Sequence, residues 1–64
     1  MDIIDITCID NGKVKEAEVL ARSDKYLKVV FVGTQITIEL VRSDVNRPYI
    51  GNKSGLEFTW QEKN

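Results

Sequence analysis

Between Tyr26 and Arg42 two β-rich runs flank Gly33-Thr34, and a glycine first in a two-residue loop marks a type II′ hairpin turn. With those two residues as the loop, Val32 faces Gln35 and the other opposed pairs follow by counting. Phe31/Ile36, Val29/Ile38 and Leu27/Leu40 fall on one face, which is wholly apolar. Val32/Gln35, Val30/Thr37, Lys28/Glu39 and Tyr26/Val41 fall on the other, where lysine and glutamate form a favourable cross-strand pair. A slip of one residue would lose both features.

The same counting extends toward the N-terminus. Asn11-Gly12 is the strongest short-range signal for a type I′ turn. With it as the loop, Asp10 pairs with Lys13, Ile9 with Val14, Cys8 with Lys15, Ile6 with Ala17 and Ile4 with Val19. The interior face is then Ile4, Ile6, Cys8, Ala17, Val19 and Ala21. A three-residue link, Ser23-Asp24-Lys25, sets Ala21 against Leu27, Val19 against Val29 and Ala17 against Phe31, so small residues meet large ones. A two-residue link would carry Glu18, Leu20 and Arg22 onto that face, and the three-residue link is preferred. One conflict remains, Asp5 opposite Glu18, since like charges across a ladder are unfavourable.

After Arg42 the alternation stops. Residues 43–55 are rich in Asp, Asn, Gly and Ser, which favour turns, and Pro48 excludes a central strand position locally. Tyr49-Ile50 reads as a short extended segment or as part of a 3₁₀ turn. Leu56, Phe58 and Trp60 then alternate inward in a last strand, and residues 61–64 read as a frayed tail. Lys13 to Arg22 contains helix formers, but its position straight after Asn-Gly and its consistent pairing favour a strand. The expected fold is all-β: one domain over residues 1–64, a five-stranded small barrel with strands at about 2–9, 13–22, 26–32, 35–42 and 56–60. Closure removes the exposed edges of so short a sheet.

This order of strands, with a short 3₁₀ turn before the last, resembles the SH3-like barrel. Residues 17–22 (AEVLAR) and 24–33 (DKYLKVVFVG) are similar to the second and third strands of Tudor-type and Sm-like barrels. The likeness covers about forty residues at the level of pattern and contains no specific motif. It implies binding of peptides, nucleic acid or neighbouring subunits. Residues 51–58 (GNKSGLEF) separately resemble small phage or prophage reading frames of unknown function.

Composition narrows the chemistry. A chain of 64 residues buries only about 60% of its unfolded surface, and such domains often need a metal, a disulfide or a partner. With no His and one Cys, neither a zinc site nor an internal disulfide is expected, which leaves partners. A net charge of −1 gives no general attraction to nucleic acid or to an anionic membrane. Residues 1–5 (MDIID) show no signal-peptide pattern, and no apolar run reaches the roughly 18 residues of a membrane span. A cytoplasmic location is therefore expected, in which the sequon Asn52-Lys53-Ser54 is incidental.

Catalysis is not expected, and no cofactor is implied. The commonest general base is missing, Cys8 falls on the interior face where a thiol is unreactive, and Ser23, Ser43 and Ser54 have no activating neighbour. The acidic pairs Asp2/Asp5 and Glu16/Glu18 alternate along strands as solvated faces do. The Thr7-to-Glu18 window aligns Gly12 and Glu18 with a calcium loop, but Thr7 and Ile9 stand where that loop needs Asp or Asn.

Two surfaces remain. The outer face carries Ile3, Ile9, Val14, Leu20, Tyr26, Val30, Val32 and Val41 among Arg22, Lys28, Glu16, Glu18 and Glu39. Either strand curvature buries part of it, or it forms an interface, because contiguous exposed apolar surface is seldom unused. The loop side gathers Arg22, Tyr26, Arg42, Arg47 and Tyr49, residue types enriched at interface hot spots and able to stack on bases. Alternatively Tyr49 plugs the barrel end beside Pro48 while the arginines pair with Asp24 and Asp44. Trp60 fits the core or rim better than a ligand contact. The candidate binding residues are thus Arg22, Tyr26, Lys28, Val30, Val41, Arg42, Arg47 and Tyr49. The expected function is a non-enzymatic protein-interaction or assembly module, as a phage or mobile-element accessory protein, binding a protein or a second copy of itself. The alternative is a nucleic-acid-binding barrel.

Overall fold

The chain folds so that the last apolar strand returns to the first. In the computed structural model, which describes residues 2–62, the strands are β1 (Ile3–Cys8), β2 (Val14–Arg22), β3 (Tyr26–Phe31), β4 (Thr37–Val41), β5 (Tyr49–Lys53) and β6 (Leu56–Trp60). Each pairs antiparallel with the next, and β6 closes on β1 through Thr7↔Thr59 and Cys8↔Phe58. The described residues contain no helix, and of the segment 13–22 expected to be extended, Val14–Arg22 is strand. The barrel therefore has six strands, where five were expected.

The extra strand is β5. Its partner is β6, across Ser54-Gly55, whose φ values of 55° and 77° are both left-handed. Two successive positive φ values define the type I′ turn, so the GNKSGLEF stretch is a hairpin. An i→i+3 turn, Arg47 N on Asp44 O (3.0 Å), stands before β5, and the last strand, β6, follows the type I′ turn directly. Pro48 lies just outside the strand, where its missing N–H interrupts no ladder. Gly51 inside β5 is required by space: a Cβ there would stand 3.1 Å from Leu40 Cγ and would overlap the Glu39 carbonyl.

The β3–β4 register is the one the alternation dictates, from Tyr26↔Val41 through Val30↔Thr37. Its turn is wider than two residues, however. Val32 N donates to Glu16 O of β2 (3.0 Å), Thr34 N donates to Phe31 O (3.1 Å), and Phe31 N donates to Ile36 O (3.0 Å). The Thr34 hydroxyl also bridges Phe31 O and Ile36 N. Gly33 takes φ 80°, and Ile36, expected inside, is exposed.

The first hairpin is displaced by two residues from expectation: Ile4 pairs with Ala17 and Ile6 with Lys15. The cause is β6. Ile9 N donates to Glu57 O and Glu57 N donates to Asp10 Oδ2 (2.8 and 2.7 Å), so Ile9 and Asp10 leave the hairpin for the closing seam. The loop becomes Ile9–Gly12, closed by Cys8 N on Lys13 O (2.7 Å). A slip of two keeps every side chain on its face. The like-charge conflict persists, now as Asp5↔Glu16.

Between β2 and β3 a two-residue loop, Asp24-Lys25, replaces the expected three-residue link, because Ser23 N donates to Tyr26 O (2.8 Å). A bulge between Val19 and Ala21 absorbs the difference, so Ala17↔Phe31 and Val19↔Val29 still form. Beyond the bulge the faces exchange. Ala21 now opposes Lys28 and is exposed, while Arg22 opposes the buried Leu27.

The core is Ile6, Cys8, Ala17, Leu27, Val29, Phe31, Ile38, Leu40, Tyr49 and Phe58, with Ile4, Val19 and Trp60 packed against it. Leu56, expected to point inward, lies at the edge of the β5–β6 turn and is exposed.

Candidate functional site

The bulge at Leu20 turns Arg22 toward one mouth of the barrel, where it meets the only tryptophan. Four side chains stack there. The Arg42 guanidinium lies 4.2 Å from the Tyr49 ring centroid. Tyr49 and Trp60, opposed across β5–β6, stack at 5.7 Å with 27° between their planes. The Arg22 guanidinium lies 5.3 Å from the Trp60 centroid. Delocalised guanidinium groups suit such faces better than ammonium groups do.

The stack is pinned from below and above. Tyr49 is fully buried, and its hydroxyl donates to Ser23 O (2.7 Å) and Asp24 O (3.3 Å). Arg42 Nε donates to the Asp24 carbonyl (2.5 Å). From above, the Glu62 carboxylate pairs with Arg22 Nη2 and approaches Arg42 Nη1 at 3.2 Å. The latter contact is off the line of a hydrogen bond, so Arg42 Nη1 is buried with no hydrogen-bond partner among the described residues. The Arg42 side chain is only 4% exposed. An open groove of about 630 Å³ runs from this mouth along the β1–β6 seam, bounded by Ile4, Val14, Trp60 and Glu62 among others.

The outer face forms a second site. One row of paired, outward positions runs Tyr26–Val41–Ile50–Thr59–Thr7–Val14 around the barrel. Within it Val41 (58% exposed) and Ile50 (39%) are direct partners. Beside them Arg42, Ser43, Arg47 and Pro48 complete an open groove of about 390 Å³. Further along β3, Lys28 faces Glu39 and Val30 faces Thr37. The Tyr26 hydroxyl donates to Glu39 Oε2 (2.6 Å). That hydrogen bond, more than desolvation or the carboxylate charge, holds the Tyr26 phenol above its ordinary range.

The eight candidate residues thus divide. Arg22, Arg42 and Tyr49 meet at the mouth, where Tyr49 is fully buried at the end of the barrel beside Pro48. Tyr26, Lys28, Val30 and Val41 lie outside on β3 and β4, and Arg47 borders the outer groove. Among the described residues none of the three arginines is paired with an aspartate carboxylate. Arg42 uses the Asp24 carbonyl, and Arg47 donates its own backbone N–H to Asp44 O (3.0 Å). Sequence reasoning missed Glu62, which was assigned to a frayed tail; Lys63 and Asn64 lie outside the described residues. The available signal was the charge itself, one acidic residue two positions past an inward tryptophan.

Among the described residues there is no group of three or more His, Cys, Asp or Glu placed to hold a metal, and no helix long and apolar enough to cross a membrane. No protein-family model, no curated protein and no solved structure matches the chain. The fold and its surfaces therefore define a class only: a small, closed, all-β barrel with an apolar outer patch and an arginine–aromatic mouth.

Proposed function

We propose that the chain is a non-enzymatic interaction module whose contact surface is the outer face centred on Val41 and Ile50. The observation that carries this reading is the direct pairing of two β-branched side chains, both outward and both substantially exposed. Apolar side chains on the outer face of the barrel add only a cross-strand contact to folding and leave most of their surface in water. They contribute to association, because burying them removes apolar surface from water at about 25 cal/mol per Å². Tyr26 on one flank and Arg47 on the other supply residue types frequent in hot spots. The resemblance of residues 51–58 to phage reading frames supports an accessory role in a phage or mobile element.

The nucleic-acid alternative has less support. Arg22 and Arg42 already share Glu62, Lys28 faces Glu39, and Tyr26 is engaged by the same glutamate. Of Arg22, Tyr26, Lys28, Arg42 and Arg47, the residues a nucleic-acid-binding barrel would use here, Arg47 alone lacks a carboxylate neighbour among these contacts.

Sedimentation equilibrium up to millimolar concentration tests the self-association form, with amide shifts followed at Tyr26, Val41 and Ile50. Concentration-dependent mass and shifts confined to that face are expected, and the Val41→Lys/Ile50→Lys double substitution abolishes both. A strict monomer removes the second copy as partner. Anisotropy with single- and double-stranded oligonucleotides at low salt tests the alternative. Binding that weakens steeply as salt rises would replace the interaction reading.

A further inference from the structure

The carboxylate at the mouth is held in a way that one intramolecular ion pair does not need. Two arginines converge on it, Arg22 from the end of β2 and Arg42 from just past β4, each guanidinium face supported by an aromatic ring. Arg42 is nearly buried, its Nε is fixed on Asp24 O, and its Nη1 points at Glu62 without completing a hydrogen bond. A buried guanidinium left short of an acceptor is costly, so the site has spare capacity for an anionic oxygen. Glu62, by contrast, lies beyond the last strand, held among the described residues by its side-chain ion pairs and a long hydrogen bond from Gln61 Nε2 to its carbonyl (3.4 Å). β6 ends at Trp60, and the β1–β6 ladder stops at Thr7↔Thr59, leaving the open groove beside the mouth.

We propose that the Arg22–Arg42 pair is a binding site for the carboxylate of an acidic peptide, which the chain fills with its own Glu62 when no peptide is present. The groove argues for a peptide over a free anion. Its walls include Ile4, Val14 and Trp60 for apolar neighbours of the carboxylate, with Thr7 and Thr59 between them. From Ile3 to Ile6, β1 is paired with β2 but has no register partner on its β6 side, and that side offers backbone groups to an added extended segment, the mode in which main-chain bonds give affinity and side-chain pockets give specificity. The ligand is thus a short extended peptide with Asp or Glu flanked by apolar residues. Glu62 acts as a tethered competitor, and displacing it lowers apparent affinity by the fraction of time the mouth is covered. This rests on the interaction-module reading only in choosing a peptide, since Val41 and Ile50 take no part.

The test is a titration with the capped peptide acetyl-Gly-Val-Glu-Val-Gly-amide and its glutamine counterpart. Trp60 fluorescence and the Nε–Hε resonances of Arg22 and Arg42 are followed. In Glu62→Ala the glutamate peptide is expected to bind about tenfold more tightly than in the unaltered chain, and the glutamine peptide to neither. Glu62→Gln, which keeps the side-chain volume, gives the same result if Glu62→Ala is poorly folded. Equal affinity in all three chains overturns self-occupancy, and no saturable binding to either variant overturns the site. Inorganic phosphate binding more tightly than the peptide overturns the peptide assignment. The Val41→Lys/Ile50→Lys chain is expected to bind as the unaltered one does, so failure of the outer-face reading and failure of this site are read separately.

Discussion

Gly51 sits beneath Leu40 with no room for a β-carbon: one built there would lie 3.1 Å from Leu40 Cγ and overlap the carbonyl of Glu39. The obstacle is backbone and a fully buried side chain, neither of which yields cheaply. Gly51→Ala should therefore destabilise the protein by about 1–3 kcal/mol, the usual cost of overpacking. Urea unfolding followed by Trp60 fluorescence measures it, and an unchanged midpoint would show that β4 and β5 are less tightly apposed than described.

Tyr26 and Glu39 give a pH signature. The hydrogen bond to the carboxylate raises the Tyr26 phenol above its ordinary value in the folded state. A group raised on folding contributes fully below its unfolded pKa, and its contribution is lost as pH rises through the folded one. The loss therefore falls on the alkaline side of ordinary tyrosine titration, and stability near neutrality is unaffected by it. Glu39→Gln should lower the titration of Tyr26, read by ¹³Cζ shifts, and an unchanged titration would show that the hydrogen bond to Glu39 is not its cause.

Tyr49→Phe keeps the ring between Arg42 and Trp60 and removes only the hydroxyl on Ser23 O and Asp24 O. Those carbonyls belong to an exposed loop and can take water instead, so the expected cost is about 1 kcal/mol. A loss several times larger would mean that the hydroxyl also fixes the β2–β3 loop beneath Arg42.

Ser54 occupies a left-handed conformation, φ 55°, in the β5–β6 turn. Asparagine tolerates that region better than serine and is preferred before glycine in type I′ turns. Ser54→Asn should raise stability by about 0.5–1 kcal/mol, seen as a higher urea midpoint at unchanged slope.

Much of the barrel was legible from alternation alone. Val29 and Ile38, Leu27 and Leu40, and Ala17 and Phe31 meet as counting requires, because a buried face tolerates no shift of one residue. What alternation cannot see is a change that preserves parity. The first hairpin moved by two because Glu57 captured Ile9 and Asp10, a long-range bond with no local trace. The Leu20 bulge and the short Asp24-Lys25 loop were two errors of opposite sign, and they cancelled at Val19 while reversing Arg22. β5 was hidden because Gly51 and Asn52 look like loop residues, although Ser54-Gly55 carried the turn signal. The mouth was half visible: its arginines and aromatics were singled out, but the residue joining them lay in a tail with no periodicity to read.

Leu20 has a consequence beyond its own position. The one residue too many between Val19 and Tyr26 is taken up in the strand; taken up instead in the link, as Ser23-Asp24-Lys25, it would leave Ala21 opposite Leu27 in the place of Arg22. Two hairpin geometries of the same sequence thus differ in whether a cation or a methyl group lines the mouth.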